Sequence, residues 1–131
     1  YKIYHHPNSP EIADFFNKGE FIEAKITSKN QLFHEKLGVI KGTVDPKFQI
    51  GTVVKLLIQA EDLIHSDTSN LEFKIIDKRF VGTNFIYTLE ISKDEKIHVL
   101  VHSHHSHIHN IGKKFGIKTP ISLEHVVCFE K

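Results

Sequence analysis

EFIEAKIT, residues 20–27, alternates two sets of side chains, Phe21, Glu23 and Lys25 against Ile22, Ala24 and Ile26. Side chains of an extended chain point to opposite faces in turn, so this period of two predicts a strand with one apolar face. β-like runs recur at residues 37–44, 52–59, 72–82, 84–92, 96–103 and 125–131, which makes about seven strands. Turn formers stand between them: Ser28 to Asn30, Asp45-Pro46, Gly51, Ser66 to Asn70, Gly82 to Asn84, Lys93 to Glu95, Asn110 to Gly112 and Thr119-Pro120. Many short strands with no long second helix predict a mainly β domain, a small barrel in preference to a sandwich.

On the other side of EFIEAKIT the period changes. HHPNSPEIADFFNKG, residues 5–19, reads as one short helix. Asn8 or Ser9 can cap it, Pro10 suits its first turn, and Asn17 to Gly19 stop it. Ile12, Phe15 and Phe16 fall at i, i+3 and i+4 and form an apolar face.

The chain has 131 residues, 40% hydrophobic and 25% charged, which fits one packed domain. Seventeen basic against sixteen acidic residues leave a formal charge of +1, too balanced to draw in a polyanion by bulk electrostatics. The single cysteine, Cys128, rules out an intrachain disulfide and suits a reducing compartment, where it reads as a small apolar core residue. No apolar run reaches the eighteen or so residues that span a bilayer, which predicts a soluble chain. The sequence opens on Tyr1 and has no Met, which fits a piece of a longer protein.

IYHHPNSPEIADFFN, residues 3–17, resembles the stretch that ends the nucleotide-binding domain of ABC importer ATPases, with Tyr4, Pro7, Ala13 and Phe15 at the motif's places. The remainder is similar to the TOBE domain, the C-terminal accessory domain of the same subunits. LLIQAEDLIHS (56–66) stands where that domain has a strand ending in Arg-Pro-Glu-Asp-Leu, with Gln59-Ala60 in place of Arg-Pro. KRFVGTNFIYTLEI (78–91) matches its basic residue, aromatic, Gly turn and long strand, and NIGKKFGIKTPISLEHVVCF (110–129) its closing strands.

The resemblance, which looks closest to the ferric iron branch, implies an OB-like β-barrel of the TOBE type with one short N-terminal helix. Residues 1–18 would be the tail and helix from the end of the ATPase domain, and residues 19–131 the accessory domain. It also implies a non-catalytic regulatory and dimer-contact module with no cofactor of its own. ATP and Mg2+ would be bound by an upstream domain. The parent subunit would form a homodimer and meet membrane permease subunits on the cytoplasmic face of the cell membrane.

The motifs for other chemistry are missing. GVIKGT (38–43) and GKKFG (112–116) do not set a Lys and a hydroxyl after a four-residue loop between glycines, so the chain has no P-loop and should not hydrolyse ATP. On a strand, His125 and Cys128 point to opposite faces, which argues against a nucleophile pair. Glu61-Asp62 read as two solvated acids in a turn. Phe80, Phe85 and Tyr87 sit among apolar neighbours and read as core, so the base-stacking surface of a single-stranded nucleic-acid binder is not expected. A free-standing OB-like nucleic-acid-binding domain is the alternative from another class; a histidine-rich metal-responsive module is a third.

Five of the eleven histidines fall in VHSHHSHIHN, residues 101–110. In KIHVLVHSH a strand would send Ile97, Val99 and Val101 to the core and His98, Leu100, His102 and His104 to the other face. His102 and His104 would then have Cα atoms roughly 6 to 7 Å apart, close enough to share one ion. Neutral imidazole suits zinc, nickel or copper, and a full site needs three or four ligands. The candidates are therefore His98, His102 and His104, with the missing donors to come from His34, His65, an acid or a symmetry mate. Ferric iron prefers oxygen donors and is a poor match. The same run also reads as an exposed strand end, as an adventitious metal binder or as a pH sensor at a dimer contact.

Overall fold

The structure, a computed structural model, describes residues 19–81, 83–102 and 109–131, with ten strands and no helix among them. The helix expected over residues 1–18 lies outside the described residues, as do His104, His105 and His107. The strands form two sheets. One contains β1 (Glu20–Ser28), β2 (Gln31–His34), β3 (Gly38–Lys41), β4 (Val53–Ile58), β9 (Ile121–Ser122) and β10 (Cys128–Glu130), in the order β10-β4-β1-β2-β3-β9. The other contains β5 (Glu72–Val81), β6 (Asn84–Glu90), β7 (Lys96–His102) and β8 (Lys114–Gly116), in the order β7-β6-β5-β8. All pairings are antiparallel except β3 with β9.

The core is built from the alternations read in the sequence. Ile22, Ala24 and Ile26 of β1 and Ile97, Val99 and Val101 of β7 are all buried. They meet Val54, Leu56 and Ile58 of β4 and Tyr87 and Leu89 of β6 in one apolar cluster between the sheets. Burying such side chains away from water is the main favourable term in the fold. Cys128 packs at the edge of this cluster, half-buried, opposite Leu56.

The strand count exceeds the seven expected. β2, β8 and β9 are the additions, each two to four residues long. A second difference comes from a bulge between Ile75 and Asp77, where the β5–β6 register shifts by one residue. An extra residue moves every later side chain to the opposite face. Ile76 is thus turned outward, while Lys78 and Phe80 come to lie on the same sheet face as their partners Tyr87 and Phe85.

Four hydrogen bonds close the seam between the sheets. Leu100 N–H of β7 donates to Ala60 C=O just after β4 at 2.9 Å. Glu20 of β1 reaches His98 of β7, and Glu95 from the β6–β7 turn reaches both Glu23 of β1 and His34 of β2. The loop after β4 is tied to the far edge of the second sheet by Lys118 N–H donating to Ile64 C=O at 2.7 Å and by a bridge between His65 and Ile117.

Candidate functional site

His65 stands at the start of the turn-forming run Ser66 to Asn70. The His65–Ile117 bridge and the bond from Ser66 N–H to Gly116 C=O (3.0 Å) press this loop against the end of β8. The approach is so close that a Cβ on Gly116 would collide with the Ser66 carbonyl oxygen, so only glycine fits there. The loop thereby places the His65 ring on the fully buried Phe115, centroid to centroid 4.2 Å.

His109 arrives from the other direction, just before the Asn110 to Gly112 turn that leads into β8. Its backbone N–H donates to the Tyr87 hydroxyl at 3.4 Å, and its ring meets Phe115, Tyr87 and His65 edge-on at 5.1, 5.7 and 4.5 Å. Asp67 completes the group. One ligand atom from each of His65, Asp67 and His109 lies within 4.8 Å of the others.

The hydrogen bonds of His65 define what the group can hold. Its Nδ1 lies 2.9 Å from Gly116 C=O, and a carbonyl oxygen only accepts, so Nδ1 carries the proton. Its Nε2 faces Asp67 Oδ1 at 2.8 Å. With Nδ1 committed to the carbonyl, Nε2 is the ring nitrogen left to act as a ligand, and it points at the carboxylate. The imidazole is largely sheltered (14% exposed side chain), whereas Asp67 is open to solvent (54%), which gives an ion a way in.

Of the histidines singled out on the strand, His98 and His102 are described and have different surroundings. His98 uses both ring nitrogens within the protein, Nδ1 with Thr88 Oγ1 at 2.9 Å and Nε2 with Glu20 Oε2 at 3.0 Å. It ties β6, β7 and β1 together and is no free ligand. His102 lies exposed at the end of β7, opposite Asn84. His104 is outside the described residues. His34, another possible donor, is buried at 3% exposure and fully engaged, its Nδ1 accepting the Lys36 and Leu37 N–H groups and its Nε2 bonded to Glu95. Of the further donors considered in the sequence, His65 does find partners: His109, from the end of the histidine run, and Asp67. Asp67 is the residue that was overlooked, and its only local signal was the His-x-Asp spacing in a turn.

Glu61-Asp62 require a correction. Glu61 is exposed, but Asp62 is partly buried and its Oδ2 accepts the Gln59 N–H at 2.8 Å. Burial pushes its carboxyl up to about 6, with Glu61 and Glu124 adding to the rise and the Gln59 N–H and His125 opposing it. These residues line a cleft of about 340 Å³ with Leu57 and Val127.

The aromatic cluster also departs from the expected core. Tyr87 is buried, but Phe85 is half-buried and Phe80 is 60% exposed. The bulged β5–β6 hairpin runs past the packed interior, and Lys78 Nζ lies over the Phe85 ring at 4.8 Å from its centroid. Compared with protein-family models and with curated proteins, the chain gives no match in either.

Proposed function

We propose that this chain is the OB-like, TOBE-type accessory domain of the ATP-binding subunit of an ABC importer of the ferric iron branch. It serves as a non-catalytic regulatory and dimer-contact module. The supporting observation is that two of the segments carrying the resemblance, 56–66 and 110–129, bond directly to each other, while 78–91 packs into the same core. β4 and its following turn take a bond from β7 at Ala60, bond to the last segment through Leu57 N–H to Val127 C=O (2.9 Å), and pair with β10 at Leu56 and Cys128. The β5–β6 hairpin supplies the opposite wall.

In this reading ATP and Mg2+ are bound by the domain upstream, and the parent dimer sits with its permease subunits at the cytoplasmic face of the membrane. The test is the coding sequence before Tyr1, followed by purification of the whole subunit and of this chain alone. The expected result is a P-loop and an ABC signature upstream, ATP hydrolysis by the whole subunit and none by the chain. A start codon directly before Tyr1, or ATP turnover by the chain itself, overturns the reading.

One observation favours a second reading, a single-stranded nucleic-acid binder. Phe80 and Phe85, with Lys78 across the ring, form a small aromatic shelf of the kind on which bases stack. Salt-dependent binding of a labelled oligonucleotide, lost in Phe80→Ala, would support it over the accessory-domain reading.

A further inference from the structure

We propose that His65, Asp67 and His109 form a binding site for one divalent transition-metal ion of the zinc class, which clasps the loop after β4 to the segment entering β8. The site uses none of the backbone contacts that support the accessory-domain reading.

The donor set selects the ion. Two imidazole nitrogens and one carboxylate oxygen suit zinc, cobalt, nickel or ferrous iron, and they disfavour calcium and magnesium, which take oxygen. Three protein donors leave a position for water, as in open sites. The donor atoms already lie within 4.8 Å of one another. Ligands bonded at about 2.0–2.2 Å in tetrahedral geometry sit roughly 3.3 Å apart. The 2.8 Å between His65 Nε2 and Asp67 Oδ1 would therefore open by about half an ångström, a shift that the exposed Asp67 side chain can make.

The surroundings are those a metal-bound histidine needs. His65 donates its other ring N–H to the Gly116 carbonyl, which fixes the tautomer and aims Nε2 at the site. Phe115 under the ring and Tyr87 under the His109 backbone hold both imidazoles on buried supports.

The test uses the whole chain, untagged and stripped of metal, titrated with Zn2+ by calorimetry and with Co2+ by visible absorption. The expected result is one equivalent bound, a four-coordinate Co2+ spectrum, and a rise in Tm of roughly 5 °C or more with zinc in hundredfold excess over its Kd. His65→Gln and His109→Gln should each weaken binding at least about tenfold and abolish the rise, and Asp67→Asn should weaken it less. His102→Ala should bind like the unaltered chain. Should His65→Gln fail to fold, His109→Gln and Asp67→Asn carry the test. Absence of one-equivalent binding overturns the proposal, as does binding unchanged in His109→Gln or lost in His102→Ala.

Discussion

His34 Nε2 donates to Glu95 Oε1 across 2.7 Å, and the other oxygen of the same carboxylate accepts the Glu23 N–H at 2.9 Å. One side chain from the β6–β7 turn thus satisfies a buried imidazole and a β1 backbone group on the facing sheet. The tautomer follows from the neighbours, since Nδ1 accepts two backbone N–H groups and leaves the proton on Nε2.

Removing that carboxylate leaves a sheltered N–H without its acceptor. Glu95→Ala should therefore destabilise the fold by about 1–3 kcal/mol, measured by urea unfolding. Glu95→Gln keeps an acceptor oxygen and should lose clearly less. Equal losses in the two variants would show that the bond to His34 is not what matters.

Asp62 gives a pH dependence with a definite sign. Its carboxyl is raised from 3.8 to about 6 by burial, so between those values the folded chain holds more protons than the unfolded one. The stability that it contributes is full below about pH 4 and is lost as pH rises through about 6. Asp62→Asn keeps an acceptor for the Gln59 N–H and removes the buried charge. At pH 7.5 the variant should be more stable than the original by on the order of 1–2 kcal/mol, and near pH 4 the difference should shrink toward zero. A difference independent of pH would refute this.

Cys128 should be a slow thiol. Burial, with Asp45 adding, pushes it from 9.0 up to about 11, which lowers the thiolate fraction at pH 8 about a hundredfold. Iodoacetamide should therefore label the folded chain about a hundred times more slowly than the urea-unfolded chain. Comparable rates would mean that the β10–β4 edge opens freely.

Gly116→Ala tests the packing behind the His65 loop. The added methyl meets the Ser66 carbonyl, a backbone atom that cannot swing aside, so the loop must lift from β8. A loss of about 1–3 kcal/mol is expected in thermal or urea unfolding. A neutral substitution would show that the loop is not held closely.

How far the sequence could be read depended on where period and packing agree. In β1 and β7 one face is buried along the whole strand, so Ile22, Ala24 and Ile26 and Ile97, Val99 and Val101 announced themselves. β2 hid because its inward positions are Leu32 and His34, and a buried histidine reads as polar. β8 and β9 are too short to show any period; their partners, β5 and β3, define them. Phe80 stands among apolar neighbours, but it lies near the tip of a hairpin that runs past the packed interior, and local composition does not show where a hairpin outruns its core. His98 on the outer face was foreseen, but its capture by Thr88 and Glu20 was not. The group of His65, Asp67 and His109 depends on β8 folding back beside β5, a long-range pairing that no local spacing encodes.

β1 and β10 flank β4 on opposite sides, both antiparallel to it, with Glu20 beside Ile58 and Glu130 beside Val54. The chain therefore enters at one end of β4 and leaves at the other. Tension applied between residues 20 and 130 would slide the three strands lengthwise and strain their hydrogen bonds together, instead of unzipping them one at a time.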